Sequence, residues 1–257
     1  MAVVKHEIPI LEYDNSPRAV IQPDHEHLDL KLPEKAVFAF LGGCIGRYAR
    51  EHGLSQVAEF ISITKKYPVY VVNYKGQDIC LCQAPVGAAA AVQIMDWLIS
   101  YGVKTIVSSG SCGALADLPE NTFLIPARAL RDEGTSYHYL PPARWVELDN
   151  AVRLNMEKTL DRLGLPYAEC ATWTTDGFFR ETRELVEYRK EEGCTVVDME
   201  CAALAACARF RGAKFGQLLF TADSLANTDK YDERGWGTDS LEKALMLSLE
   251  LVRGLDE

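Results

Sequence analysis

The sequence predicts an α/β fold: a single domain of three layers (α/β/α), with helices on both faces of a central, mixed and twisted sheet. Two observations carry this. Short, continuous apolar runs of strand length alternate with longer segments of helical period down the chain, the pattern of strands buried between helices. An early pair of apolar runs also flanks a glycine-containing turn, which makes the sheet mixed rather than purely parallel. At 257 residues, 48% hydrophobic and 25% charged, the chain suits one well-cored domain rather than a disordered, collagenous or disulfide-stapled one.

Residues 1–35 are polar and hold Pro9, Pro17, Pro23 and Pro33. They read as an extended arm on the surface or on a neighbouring subunit, with the folded domain over 36–257. AVFAFL (36–41) is a buried strand. VYVVN (69–73) and DICLCQA (78–84) form a hairpin around Tyr74-Lys75-Gly76-Gln77. The alanine-rich 88–101 is a helix stopped by Gly102. TIVSSGSCG (105–113) is a strand entering a glycine turn, and TFLIPARAL (122–130) is another strand. A helix follows over 150–164, a strand over 168–175 and an exposed charged helix over 180–193. CTVVDME (194–200) is a strand running into the small-residue helix CAALAACARF. KFGQLLFTAD (214–223) is a strand, and an amphipathic helix over 240–254 closes the chain, capped by Asp239 or Ser240.

Composition narrows the function. With 27 basic and 37 acidic residues the net charge is −10, which argues against a nucleic-acid partner but permits a small anion in a local positive pocket. No apolar run is long enough to span a bilayer. The N-terminus lacks a signal peptide's pattern, so the expected location is cytoplasmic, with no membrane partner. The eight cysteines form no CxxC pair, which fits reduced, buried thiols rather than zinc or disulfides. His25 and His27 are close but have no acid–His set at ligand spacing, so no metal is expected.

In open α/β sheets ligands bind beyond the carboxyl ends of the strands, which directs attention to four loops. After 36–41 comes Gly42-Gly43-Cys44-Ile45-Gly46-Arg47. Its glycines let the backbone approach an anion, and Arg47 adds a charge-assisted contact; the alternative is a tight turn with a surface arginine. After the next strand, Gly110-Ser111-Cys112-Gly113 leaves room for a ligand, or is simply a glycine turn. Asp198-Met199-Glu200 offers a carboxylate for a sugar hydroxyl, or acids that favour a helix N-terminus. Asp223 is a candidate for proton transfer, or a cap with Ser224. The segment Arg131–Tyr139 lines a pocket or forms a surface loop, with His138 read as a structural hydrogen-bonder.

Taken in order, these segments resemble the nucleoside phosphorylase family of hexameric purine nucleoside phosphorylase and uridine phosphorylase. The motifs are YKGQDICL with QAPVG, GVKTIVSSGSCGAL, RDEGTSYHYLPP, TTDGFFRE, VVDMECAAL and FTADSLAN. The resemblance implies a nucleoside phosphorylase-like catalytic domain over 36–257. It implies attack of inorganic phosphate, as co-substrate, on C1′ of a nucleoside, giving free base and (deoxy)ribose 1-phosphate, without a cofactor. It assigns Glu200 to a ribose hydroxyl, Met199 to the sugar, Phe178 to the base or sugar, and Asp223 to the leaving base. Cys112 and Gly113 belong to the substrate turn; Gly43, Arg47 and Ser111 belong to the phosphate site. It places His27 at a neighbour's sugar 5′ hydroxyl, which implies a homo-oligomer with shared sites, commonly a hexamer.

Three departures accompany the resemblance. The family's second phosphate arginine is Ser108 here, with Lys65, Lys66, Arg128 and Arg131 as candidate substitutes. The first loop lacks the Asp and Pro of GDPxR. The Gln-x-Arg pair of uridine phosphorylases is absent near Arg183. Asp223 tilts the base toward purine and GTSYHY toward uridine. A water-using nucleosidase and a non-catalytic nucleoside binder are the competing readings.

Overall fold

The computed structural model describes residues 3–255. Most of the described arm is irregular and exposed, with a short 3-10 turn at Pro9–Leu11 and Leu32 buried in the core. It lies along its own domain: Trp97 donates to Glu26 at 3.1 Å, and Arg211 donates to the Pro17 carbonyl at 3.1 Å.

The elements in order are β1 (Lys35–Phe40), α1 (Cys44–Glu51), β2 (Gln56–Ile61), β3 (Lys66–Tyr74), β4 (Gln77–Gln83) and α2 (Ala88–Ser100). Then come β5 (Thr105–Ala114), β6 (Phe123–Asp132), β7 (Trp145–Glu147), α3 (Asn150–Arg162), β8 (Ala168–Thr175) and α4 (Arg183–Glu191). The last are β9 (Val196–Asp198), α5 (Cys201–Arg211), β10 (Lys214–Ser224) and α6 (Leu241–Gly254). The expected hairpin is β3–β4. Lys75 and Gly76 at its tip both have positive φ, 51° and 86°, the twist that suits a two-residue turn between antiparallel strands.

Among the described residues all ten strands join one mixed sheet, in which β1 pairs in parallel with β4 and β5, and β3 pairs antiparallel with β4. The sheet folds back on itself: β10 is parallel to β5 and antiparallel to β6. Strand β10 is buried from Phe215 to Ser224, which fits its long apolar run. Helices α2 and α5 pack on one face around Trp97 and Leu204. Helices α1, α3 and α6 pack on the other around Met156 and Leu249.

The structure adds α1, β2 and β7 to the elements expected from sequence. It also adds one cap and changes another. Asp149 caps α3, accepting from the amides of Ala151 and Val152. Ser240 stands at the start of α6, but its hydroxyl donates to Asn121 at 2.8 Å rather than capping the helix. All eight cysteines are buried thiols. No helix among the described residues is long and apolar enough to cross a membrane.

Candidate active site

The carboxyl ends of β1, β5, β9 and β10 meet around one cavity, with the turn after β8 at its edge. Its lining includes Phe40, Ser111, Cys112, Gly113, Phe178, Met199, Glu200 and Asp223. Seven residues singled out from sequence are thus brought together from four separate chain segments. Among the described residues, no group of His, Cys, Asp and Glu is arranged to hold a metal ion.

The two acids of Asp198-Met199-Glu200 divide their roles. Asp198 is buried and accepts from the hydroxyls of Thr172 and Thr174, both at 2.8 Å. It also accepts from the amides of Glu200 and Cys201, at 2.9 and 2.6 Å. It therefore satisfies the first amides of α5, as expected of an acid at a helix N-terminus. Glu200 accepts from the Gly87 amide at 2.6 Å. Gly87 holds φ at 101°, a conformation suited to glycine, and so presents that amide to the cavity. Burial first, and then the Asp198 charge, push the Glu200 pKa up to about 8. An acid held near neutrality is well placed to exchange hydrogen bonds with a sugar hydroxyl.

Asp223, at the end of β10, is 5% exposed and accepts from the Tyr231 hydroxyl at 3.1 Å. Burial raises its pKa, which favours the protonated carboxyl over the carboxylate. Gly113 makes this approach possible. A Cβ there would stand 2.9 Å from Val197, 3.0 Å from Leu225 and 3.4 Å from Asp223 Oδ1. Cys112 turns its thiol to the Phe220 carbonyl, 3.4 Å away. Phe178 is 41% exposed at the mouth and meets Phe179 edge-on.

The remaining predicted residues lie outside this lining. Gly43 is the residue before α1. Arg47, on α1, pairs with Glu242 at 3.2 Å and donates to Cys44 Sγ at 3.1 Å. His27 sits in the arm, its amide donating to the Asp24 carbonyl at 2.8 Å. The candidate substitutes for the missing arginine are engaged elsewhere. Lys66 pairs with Glu59 at 2.9 Å, and Lys65 lies over the Tyr67 ring. Arg128 stacks on Trp145, while Arg131 donates to Ser136, Leu140 and Pro141. The Arg131–Tyr139 segment is thus knit together around Arg131.

The cavity residues that sequence reasoning missed include Glu181, Gln217 and Trp236. Gln217 is 1% exposed and its Oε1 has no partner among the described residues. It is in register with Ser108, whose hydroxyl is likewise buried and unpartnered. Where the resemblance leads one to expect an arginine, the strands present two neutral polar groups. The lining therefore holds four acids, Glu181, Asp198, Glu200 and Asp223, and no Lys, Arg or His.

Comparison with known proteins supplies the family. A family model described as the phosphorylase superfamily matches residues 36–253. The chain is 26% identical over 246 residues to guanosine phosphorylase of Halorubrum lacusprofundi, spanning 89% of this chain and 98% of that one. It is 26% identical over 204 residues to uridine phosphorylase of Thermococcus kodakarensis, spanning 74% of each. Among solved structures, AMP nucleosidase from Bacteroides thetaiotaomicron superposes with a TM-score of 0.72 at 23% identity, covering 88% and 90% of the two chains.

Proposed function

The chain belongs to the phosphorylase superfamily, and from that premise we propose that it cleaves the N-glycosidic bond of a nucleoside, using inorganic phosphate and giving free base and a pentose 1-phosphate. The observation that carries this is the convergence of Glu200, Met199, Phe178, Ser111 and Asp223 on one cavity at the strand ends. In this reading Glu200 accepts from a sugar hydroxyl and Met199 packs against the sugar. Phe178 covers the ring system at the mouth. Asp223 gives its proton to the departing base as negative charge gathers there. A preorganised donor facing developing charge lowers the barrier to the bond-breaking step. The Arg47–Glu242 pair is exposed on both sides, so screening by water leaves it weak. Phosphate can displace Glu242 and take Arg47 and the loop at Gly43 as its site. The relatives' names, guanosine and uridine phosphorylase, fit this reading, and we place purine ahead of uridine because Asp223 faces the base. A homo-oligomer, with His27 serving a neighbour's site and a hexamer as its expected size, belongs to the same proposal, as does a cytoplasmic location.

One observation favours a second reading. A cavity lined by acids and by neutral Gln217 and Ser111, with no cation, is a poor host for a phosphate dianion and a better one for water, which would make the reaction hydrolytic. Release of free base from guanosine, inosine, adenosine, uridine and methylthioadenosine, followed by absorbance with and without phosphate, tests both readings. Release that requires phosphate supports phosphorolysis. Release indifferent to phosphate supports hydrolysis, and no release from any of the five refutes both.

A further inference from the structure

Trp236 is a cavity residue that neither the sequence motifs nor the proposed chemistry uses. It stands in the loop between β10 and α6 and lines the same cavity as Phe178, yet it remains 48% exposed. Its backbone conformation is costly. Trp236 holds φ at 57°, with Arg234 at 50° and Gly237 at 63°. The left-handed region is unfavourable for a bulky side chain and persists only where the surroundings impose it. Here one carboxylate oxygen imposes it. Glu120, in the loop between β5 and β6, accepts through Oε1 from the amides of Gly235 and Gly237, at 2.9 and 2.8 Å. A left-handed residue aims the amides on either side of it at a single anion. Gly235 admits the carboxylate, since a Cβ there would stand 3.0 Å from Glu120 Oε1. The next residue adds a second tie to the same loop: Asn121 Oδ1 accepts from the Ser240 hydroxyl at 2.8 Å.

A strained turn that leaves its indole half open gains the fold little burial. Strain of this kind collects where a ligand is held. Resting on the cleavage reading above, we propose that Glu120 is a positioning residue for nucleoside binding: it clamps the Gly235-Trp236-Gly237 turn so that the Trp236 indole stands ready to pack against the bound nucleoside. Glu120 lies outside the cavity lining, so it acts through Trp236 and not on the reacting atoms. The indole supplies a large, rigid apolar face. Fixing it before the ligand arrives removes the ordering cost from the binding step.

The test is a double-mutant cycle on Glu120→Ala and Trp236→Ala. It is read as KM and kcat for base release from whichever of guanosine, inosine, adenosine, uridine and methylthioadenosine the wild type cleaves fastest. Loss of a contact made equally before and during bond breaking raises KM and leaves kcat in place. Glu120→Ala is expected to raise KM by about tenfold, the scale of hydrogen bonds lost from a charged acceptor. Its kcat is expected to change by less than about twofold. Trp236→Ala is expected to raise KM at least as much. The double variant is expected to be no worse than Trp236→Ala alone, because the clamp then has no indole to hold. Glu120→Gln keeps an oxygen for both amides, though a weaker acceptor, and is expected to stay within about threefold of the wild-type KM. The assignment is overturned by an unchanged KM in Glu120→Ala, by effects that multiply in the double variant, or by a Glu120→Gln no better than Glu120→Ala. A wild type that releases base from none of the five refutes the cleavage reading instead. Calorimetric binding of the same five nucleosides then decides the clamp separately. A dissociation constant raised about tenfold in Glu120→Ala upholds it, and an unchanged constant, or no binding by the wild type, overturns it.

Discussion

Replacing Glu200 by glutamine separates the electrostatics of the cavity from its shape. The carboxyl is 7% exposed, accepts from the Gly87 amide, and has its pKa raised from 4.5 to about 8, by burial first and by Asp198 second. An acid that is harder to ionise folded than unfolded contributes its full stability below the unfolded pKa. That contribution is lost as pH rises through the folded pKa. The window here runs from 4.5 to about 8. At ~1.4 kcal/mol for each pH unit travelled above the lower value, the loss is about 3 kcal/mol at pH 7 and at most about 5 kcal/mol by pH 8. Glutamine keeps an oxygen facing Gly87 and does not ionise. Glu200→Gln is therefore expected to match wild type near pH 5 and to exceed it by several kcal/mol at pH 8. Urea unfolding of both proteins across this range measures the difference. Asp198, Asp223 and Glu181 titrate in both proteins, so the difference between the curves reports Glu200. Curves that stay parallel from pH 5 to pH 8 would refute the claim that this carboxyl is held near neutrality by its surroundings.

Three further outcomes follow from the same geometry. Asp223→Asn is expected to lower kcat/KM for base release by about 100-fold or more, the usual scale for a lost general acid; near-normal turnover in a steady-state assay would remove Asp223 from proton transfer. Arg47→Ala should raise the KM for phosphate and Glu242→Ala should lower it, because Glu242 holds the guanidinium that phosphate needs; an unchanged phosphate dependence in both variants would put the anion elsewhere. Gly113→Ala forces a methyl between Val197 and Leu225. It should cost about 1–3 kcal/mol in urea unfolding and displace Asp223, so a variant with full stability and full activity would contradict the close approach drawn here.

The strand-end loops were legible because their residue types are rare in combination: glycines beside Arg47, acids around Met199, and Asp223 closing an apolar run. What remained hidden has physical causes. QVAEFI of β2 pairs only with β3 and is largely open to solvent, so it lacks a continuous apolar run, and β7 is three residues long. The start of α1 reads as a turn because Gly43 and Gly46 weaken a helical pattern. The return of β10 onto both β5 and β6 leaves no mark on side-chain alternation, which reports burial and not the identity of the neighbour. Glu181 ends the TTDGFFRE motif without a role assigned to it, and Gln217 lies in no motif; they enter the cavity through a 3-10 turn and through register with Ser108. The split between Asp198 and Glu200 also needed coordinates, since both acids suit a helix N-terminus and only the hydroxyls of Thr172 and Thr174 decide which one is committed to it.

The central claim is that phosphate held at Arg47, and not water, attacks C1′ of a nucleoside seated in this acid-lined cavity. Phosphorus-31 NMR of a reaction containing the wild-type protein, guanosine and inorganic phosphate tests it most directly. Growth of a sugar 1-phosphate resonance in step with free base is the result expected. Release of base with free ribose, while the phosphate resonance stays unchanged, would contradict it and leave Arg47 as the structural partner of Glu242.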